Sequence, residues 1–186
     1  TKMSAECTRV GDRIPYIPEN GRYEGDLAET DVCWWTNGFW GGILWQMYHA
    51  TGEEKYRLAA EGVENKMDAA FTSIGKLNHD VGFMWLHTAV ADYRLTGNPK
   101  SRERGENAAN ILAGRFNPLG KFIRAWNGDS NIGWMIIDCM MNIPLLYWMS
   151  GENKDPRFKS IALMHADTAM EKLVRPDGSC NHIGIM

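Results

Sequence analysis

Three segments of the chain share one layout, and this repeat restricts the fold more than any other feature. Gly38-Phe39 opens GFWGGILWQMYHATGE, Gly82-Phe83 opens GFMWLHTAVADYRLTGN, and Gly133-Trp134 opens GWMIIDCMMNIPLLYWMSGE. Each starts with Gly and an aromatic residue, runs through an apolar stretch and closes on Tyr-x-x-[Thr/Ser]-Gly, at Tyr48–Gly52, Tyr93–Gly97 and Tyr147–Gly151. The closing tyrosines stand 45 and 54 residues apart, a period typical of repeat architectures. The closing glycines 52, 97 and 151 are predicted helix C-caps.

A second kind of helix follows the closing glycines. Tyr56, Ala59, Ala60, Val63, Met67, Ala70 and Phe71 form one apolar stripe, and after Asp155-Pro156 the inward positions are Phe158, Ile161, Ala162, Ala169 and Leu173. A helix apolar nearly all round belongs inside, and an amphipathic one outside. The pattern predicts an all-α chain with helices near 38–50, 54–73, 82–96, 101–115, 132–149 and 156–173. Tandem hairpins of this kind build either an open solenoid or a closed ring of inner helices within outer ones. At about 50 residues per hairpin, 186 residues hold between three and four hairpins. That is roughly half of a six-hairpin toroid, and such a half is expected to leave one apolar flank uncovered. The ending RPDGSCNHIGIM reads as a loop leading onward.

Composition removes several function classes. Twenty Lys plus Arg against 23 Asp plus Glu give a net charge of −3, which argues against a nucleic-acid partner. No apolar run reaches the ~18 residues of a membrane helix, and TKMSAECTRVGDR lacks the apolar core of a signal peptide. Cys7, Cys33, Cys139 and Cys180 fall at neither metal nor redox spacing, so reduced thiols and a cytoplasmic location are expected. The five His show no zinc pattern, and neither metal nor cofactor is predicted. Eight Trp suggest a pocket for something flat or ring-shaped.

The leading chemical candidate is Asp138, five residues after Gly133 within an apolar run. Burial there would raise its proton affinity and suit it to acid–base work; the alternative is a structural aspartate bonded to Asn142. Asp80 precedes the second inner segment, either as a simple N-cap or as a second carboxylate facing Asp138. Trp34, Trp35 and Trp126 stand in loops before inner segments, where indole faces suit sugar rings. Trp40, Trp45, Trp85, Trp134 and Trp148 read as core, as do His87 and His165. His182, in a Gly-rich loop, is either a ligand contact or solvated.

Several motifs then occur in a fixed order. They are Trp35-Thr36-Asn37-Gly38-Phe39-Trp40, His79-Asp80-Val81-Gly82-Phe83, Arg124-Ala125-Trp126, Ile136-Ile137-Asp138-Cys139-Met140-Met141-Asn142, Pro144-Leu145-Leu146 and Arg175-Pro176-Asp177-Gly178-Ser179 with His182. From about residue 31 onward the chain resembles the unsaturated glucuronyl hydrolases, glycoside hydrolase family 88. The resemblance implies an (α/α)6 barrel, of which residues 1–186 would be the N-terminal half of the catalytic domain. Family members are roughly twice as long, and the Trp-x-Arg-Gly-Gln-type motif of their second half does not occur here.

What the resemblance implies for function is specific. The substrate is an oligosaccharide left by a polysaccharide lyase, with a 4,5-unsaturated uronic acid at its non-reducing end. Asp138 matches the acid/base residue and Asp80 the second essential carboxylate. Trp35 and Trp126 match stacking residues, and His79 and His182 match substrate contacts. The reaction is hydration of an enol ether, with no metal or organic cofactor. Rival readings are an unsaturated rhamnogalacturonyl-type hydrolase, an inverting glycosidase on the same fold, and a helical-repeat binding scaffold. Asp138 in its apolar setting weighs against the last.

Overall fold

The computed structural model describes residues 2–186. In chain order its elements are α1 (Lys2–Val10), α2 (Leu27–Thr30), α3 (Asn37–Thr51), α4 (Glu54–Met67), α5 (Val81–Trp85), α6 (Ala89–Thr96), α7 (Pro99–Gly114), β1 (Phe116–Asn117), β2 (Phe122–Ile123), β3 (Trp134–Ile136), α8 (Cys139–Asn142), α9 (Pro144–Asn153), α10 (Pro156–Leu173) and β4 (Ile183–Ile185). Helix accounts for 62% of the chain and the strands are two or three residues long, so the all-α class holds. The chain forms two compact units. One comprises everything up to Ile74 together with Phe83–Arg104, and the other Gly75–Gly82 together with Gly105–Met186.

In the first unit α3 and α4 pack together as a hairpin. The stripe of α4 is buried as its spacing predicts, at Tyr56, Ala60, Val63 and Met67, with Ala70 just beyond. The predicted caps are present. Gly52 at φ 69° and Gly97 at φ 77° donate their N–H groups to the Tyr48 and Tyr93 carbonyls, in the left-handed conformation that glycine adopts without strain. The opening glycine of the first repeat has a different use. A Cβ on Gly38 would stand 2.2 Å from the Phe83 carbonyl oxygen, so only glycine lets the two backbones approach this closely.

The helix predicted over 82–96 is interrupted. His87 and Thr88 press on Gly42 and Gly41, and Thr88, in a non-helical conformation, turns its hydroxyl back to Met84 O at 2.7 Å. Between α3 and α6 runs an open apolar groove of about 830 Å³, lined by Phe39, Ile43, His87, Ala91 and Leu95.

In the second unit α9 and α10 form the other hairpin. Phe158, Ile161, Ala162, Ala169 and Leu173 of α10 are all buried, as predicted. Met135, Phe122, Ala169 and Leu173 share one core cluster. β1 pairs with β2, and β3 pairs antiparallel with β4 in the register Trp134↔Ile185, Met135↔Gly184 and Ile136↔Ile183.

This arrangement corrects the helix predicted over 132–149. Its first residues are a strand, because the apolar run has β4 to pair with, and a short apolar run fits strand and helix equally. Pro144 then divides the rest, since it lacks an N–H and fits only the first turn of a new helix. Gly151 is likewise not the cap. α9 continues through it to Asn153, and Lys154 takes the left-handed position at φ 60°, its ammonium on Gly151 O at 2.6 Å.

The first unit buries a charged cluster. Glu64 on α4, Asp92 on α6, and Ser101 and Arg104 on α7 are all almost fully inaccessible. The Ser101 hydroxyl lies 2.7 Å from Glu64 Oε2 and 2.6 Å from Asp92 Oδ2. One hydroxyl proton cannot serve two carboxylates, so one of the two acids holds a proton of its own. Burial, reinforced by the Asp92 charge, pushes Glu64 up to about 7 against the Ser101, Trp45 and Arg104 contacts that favour its ionised form. The folded state therefore binds this proton more tightly than the unfolded chain, whose glutamate titrates near 4.5. Its stabilising contribution is complete below that value and is lost as pH rises toward 7. Glu64→Gln supplies a permanent donor to Ser101. We expect the stability difference between variant and wild type to move in the variant's favour by roughly 3 kcal/mol between pH 4.5 and 7.5. Urea denaturation across that range measures it, and parallel profiles would refute it.

Candidate active site

Asp138 stands where β3 gives way to α8. The Ile137 N–H donates to His182 O at 3.0 Å, extending the β3–β4 ladder by one step and setting Asp138 at its end. The Asp138 carbonyl accepts the Met141 N–H at 2.8 Å and Asn142 Nδ2 at 3.3 Å, which closes the turn into α8. The side chain is 36% exposed. Asp138 thus sits at the mouth of a short helix and not within an apolar one, as the sequence suggests.

His79 and Asp80 come from the loop before α5. The Asp80 N–H donates to Asn78 Oδ1 at 2.8 Å, a local turn that points His79 and Asp80 inward. His79 has no exposed surface. Its Nδ1 is 3.0 Å from Ala125 O, and its Nε2 is 2.9 Å from Asp138 Oδ1 and 3.2 Å from Asp80 Oδ1. The resemblance counts His79 among the substrate contacts. In the structure both ring nitrogens are engaged by protein oxygens, Nδ1 by Ala125 and Nε2 by Asp138. Asp80 Oδ1 lies beside Nε2 at 3.2 Å, a charge contact without a hydrogen bond.

The ring geometry restricts where protons sit. A carbonyl accepts only, so Nδ1 carries a hydrogen. The contact from Nε2 to Asp138 then holds one shared proton, as imidazolium with carboxylate or imidazole with carboxylic acid. Asp80 is the buried member of the pair, its side chain 9% exposed. Burial raises its carboxyl above the usual carboxylate range. The His79 interaction opposes the rise, the Asp138 charge adds to it, and the Asn142 hydrogen bond and Arg115 oppose it. The burial that the sequence ascribes to Asp138 belongs to Asp80.

Cys139 is fully buried, and burial beside these carboxylates drives its thiol well above the usual range, which removes it as a nucleophile. His79, Asp80 and Asp138 also form a group whose ligand atoms lie within 4.8 Å of one another, close enough for a cation. With Nε2 at hydrogen-bond distance from a carboxylate, the geometry reads as proton sharing.

Trp126 packs edge-on to His79 with ring centroids 6.2 Å apart, and lies 5.7 Å from Trp134. His182 is exposed, at the end of the Arg175–Asn181 loop. That loop is held by Arg175 on Ser179 Oγ and Cys180 O, and by Asp177 accepting from Ser179. Trp35 lies in the first unit, where it packs against Trp34, Phe39 and Phe83. The 830 Å³ groove of that unit has no carboxylate in its lining and offers no acid–base pair.

One residue of the site escapes sequence reasoning, and a second, Asn142, enters it only as a partner of Asp138. Arg115 donates from Nε to Arg124 O at 2.9 Å, from Nη2 to Ala125 O at 2.7 Å, and from Nη1 to Asn127 Oδ1 at 2.7 Å and Leu77 O at 3.4 Å. Burial, with the neighbouring Arg124 charge, brings it down to about 10, still charged at neutral pH. Asn142 joins the Asp138 backbone to the Asp80 carboxylate. Nothing in the spacing marks Arg115, whereas Asn142 stands four residues from Asp138, one helical turn on.

Gly82 gives a direct test of this packing. A Cβ there would lie 2.5 Å from Asn142 Cα and 2.6 Å from its carbonyl oxygen. Gly82→Ala is expected to cost about 1–3 kcal/mol in stability through overpacking. Gly151→Ala, where a Cβ meets nothing within 4 Å of its helical position, should gain about 0.5–1 kcal/mol from helix propensity. Chemical denaturation of the two variants checks both signs.

The chain is similar to known proteins over most of its length. The model of Glycosyl Hydrolase Family 88 matches residues 9–178. The chain is 34% identical over 178 residues to an unsaturated glucuronyl hydrolase of Bacillus sp. (strain GL1), covering 94% of this chain and 46% of that protein. It is 32% identical over 169 residues to an unsaturated chondroitin disaccharide hydrolase of Streptococcus pyogenes serotype M1, covering 89% and 42%. The crystal structure of the Bacillus sp. GL1 enzyme superposes with a TM-score of 0.89 at 31% identity, over 99% of this chain and 49% of that one. The chain thus spans about half the length of the curated relatives it matches. Its fold is the N-terminal half of an (α/α)6 toroid.

Proposed function

The chain belongs to Glycosyl Hydrolase Family 88, and on that basis we propose that it carries the acid–base half of an enzyme that removes a 4,5-unsaturated uronic acid from the non-reducing end of lyase-generated oligosaccharides. The observation that carries this reading is the contact of His79 Nε2 with Asp138 Oδ1 at 2.9 Å, beside a buried Asp80. It provides an exposed carboxyl with a proton at hand and a ring that returns one. The relatives named as unsaturated glucuronyl and unsaturated chondroitin disaccharide hydrolases support the substrate class.

The substrate is an enol ether, so the step needed is hydration of its double bond. Protonated Asp138 gives its proton to C4, leaving an oxocarbenium-like cation shared by C5 and the ring oxygen. The Asp138 carboxylate then takes a proton from water as its oxygen adds to C5. The resulting hemiketal opens and releases the neighbouring sugar. One carboxyl acts first as acid and then as base, and ends as it began. Asp80 contributes negative charge beside Asp138, which favours the protonated acid, and binds ring hydroxyls. Trp126 offers an indole face to the sugar and His182 a polar contact. Trp35, the exposed member of the first unit's aromatic cluster, keeps the stacking role that its motif implies. Residues 1–186 then form the N-terminal half of the catalytic barrel. No described helix is long and apolar enough to cross a membrane, and the four free thiols support a cytoplasmic setting.

Asp138→Asn tests the mechanism in the whole protein. The amide keeps the shape but has no transferable proton. General acid–base groups contribute about 10²–10⁴-fold, and here one group serves both steps, so the loss should reach the upper end and fall on kcat. Disappearance of the enol-ether ultraviolet absorbance of an unsaturated uronyl disaccharide follows the reaction. Near-normal turnover by the variant would move the acid to another residue.

A further inference from the structure

We propose that His79, Asp80 and Asp138 form a binding site for a zinc-class divalent cation, and that the bound ion inhibits the enzyme by displacing the transferable proton. The site itself stands on geometry; the inhibition rests on the reading of Asp138 as the acid. One imidazole nitrogen and two carboxylate oxygens lie within 4.8 Å of one another. His79 Nε2 is 2.9 Å from Asp138 Oδ1 and 3.2 Å from Asp80 Oδ1. Donors held at about 2.0–2.1 Å around a tetrahedral zinc ion stand about 3.3 Å apart, so both contacts to Nε2 already approach that spacing. Asp80 Oδ1 is the atom that calls for a cation. The residue is 7% exposed, and this oxygen accepts no hydrogen bond from any described residue. A buried carboxylate oxygen in that state carries a desolvation cost, which a cation beside it offsets.

The surroundings are those of a ligating histidine. His79 Nδ1 donates to Ala125 O at 3.0 Å, the contact by which such rings are oriented with their other nitrogen toward the metal. Ala125 O is held in turn by Arg115 Nη2 at 2.7 Å, and the Asp80 carboxylate by Asn142. Arg115 does not occupy the carboxylates, because its four acceptors are oxygens of Leu77, Arg124, Ala125 and Asn127. The 36% exposure of Asp138 leaves the ion a path inward and a fourth position for water. The imidazole favours zinc over magnesium and calcium, which take oxygen donors in larger number. On binding, Nε2 gives its lone pair to the ion, and the proton it shares with Asp138 leaves to solvent, wherever in that contact it rests. A carboxylate on the metal then has no proton for C4.

Titration calorimetry of the whole protein with zinc chloride at pH 7 tests the site. Wild type should bind zinc tightly, and His79→Gln, Asp80→Asn and Asp138→Asn should each weaken it by about 100-fold or more, beyond the 10- to 100-fold typical of outer-shell partners. Cys180→Ser, at an exposed thiol, should leave the tight site in place. Where the variants do not fold, zinc-edge X-ray absorption of wild type answers alone. It should show one imidazole with oxygen donors, and a sulfur ligand or an all-oxygen shell would overturn the site. Turnover of an unsaturated uronyl disaccharide should fall as the site fills and return with a chelator, while magnesium at the same concentration leaves it unchanged. Absence of binding, unchanged binding in the three folded variants, or its loss in Cys180→Ser would each overturn the site. A filled site with undiminished turnover would overturn the inhibition. Metal-free wild type that fails to consume the disaccharide would overturn the functional reading instead, leaving the titration to judge the site.

Discussion

The carbonyl oxygen of Ala125 accepts the His79 backbone N–H at 3.3 Å, the His79 ring at 3.0 Å and the Arg115 guanidinium at 2.7 Å. The oxygen has no proton to give, so it fixes which ring nitrogen is the donor and turns the other toward Asp138. The Ala125 N–H donates to Trp134 O at 2.8 Å, which ties the same peptide to β3, the strand that ends at Asp138. One residue with no functional side chain thus sets the distance between histidine and acid. Its small side chain is buried, so the group that matters is available from any residue type, and the sequence gives no sign of it.

Proton counting applies in the first unit with a different result. Ser101 lies between two carboxyls as His79 does, but there Glu64, Asp92 and Arg104 are all sealed from solvent. A proton held there has no exposed acceptor to reach, so the cluster acts on stability alone. In the second unit the 36% exposure of Asp138 opens one end of the arrangement. The two sites share chemistry and differ in access to solvent.

The sequence is most legible where one period governs. α4 and α10 were readable because a single stripe of side chains enters the core, and Gly52 and Gly97 because only a left-handed residue ends those helices. Legibility fails where two periods fit. Trp134-Met135-Ile136 suits a helix or a strand, and only its pairing with Ile183–Ile185 decides. Reading Asp138 as buried followed from that error, since a continuous helix would have placed it inside. The ordered motifs single out His79, Asp80, Trp126 and Asp138, which the fold brings together. They did not show that His79 is enclosed, because enclosure comes from Ala125 and Trp126, 46 and 47 residues away. Arg115 lies between an ordinary helix end and a two-residue strand, where a lone arginine reads as solvated surface.

The opening glycine of each repeat joins fold to site. Gly38 admits the Phe83 carbonyl, Gly82 admits the Asn142 backbone, and Gly133 admits Met186 O, each within 2.6 Å of where a Cβ would stand. The recurring glycine is therefore the point at which one segment of backbone touches another. At Gly82 that touch has a chemical consequence. Asn142, pressed against the glycine, bonds the Asp138 carbonyl and the Asp80 carboxylate at once. A larger residue at 82 would separate the loop carrying His79 and Asp80 from the turn carrying Asp138. A hydrogen bond of 2.9 Å between His79 and Asp138 tolerates little such movement before it weakens. The residue that lets the repeat pack is thus also the one that lets two distant carboxyls share a ring. A fold built from the same hairpins without glycine at that position would keep its helices and lose the contact between His79 and Asp138.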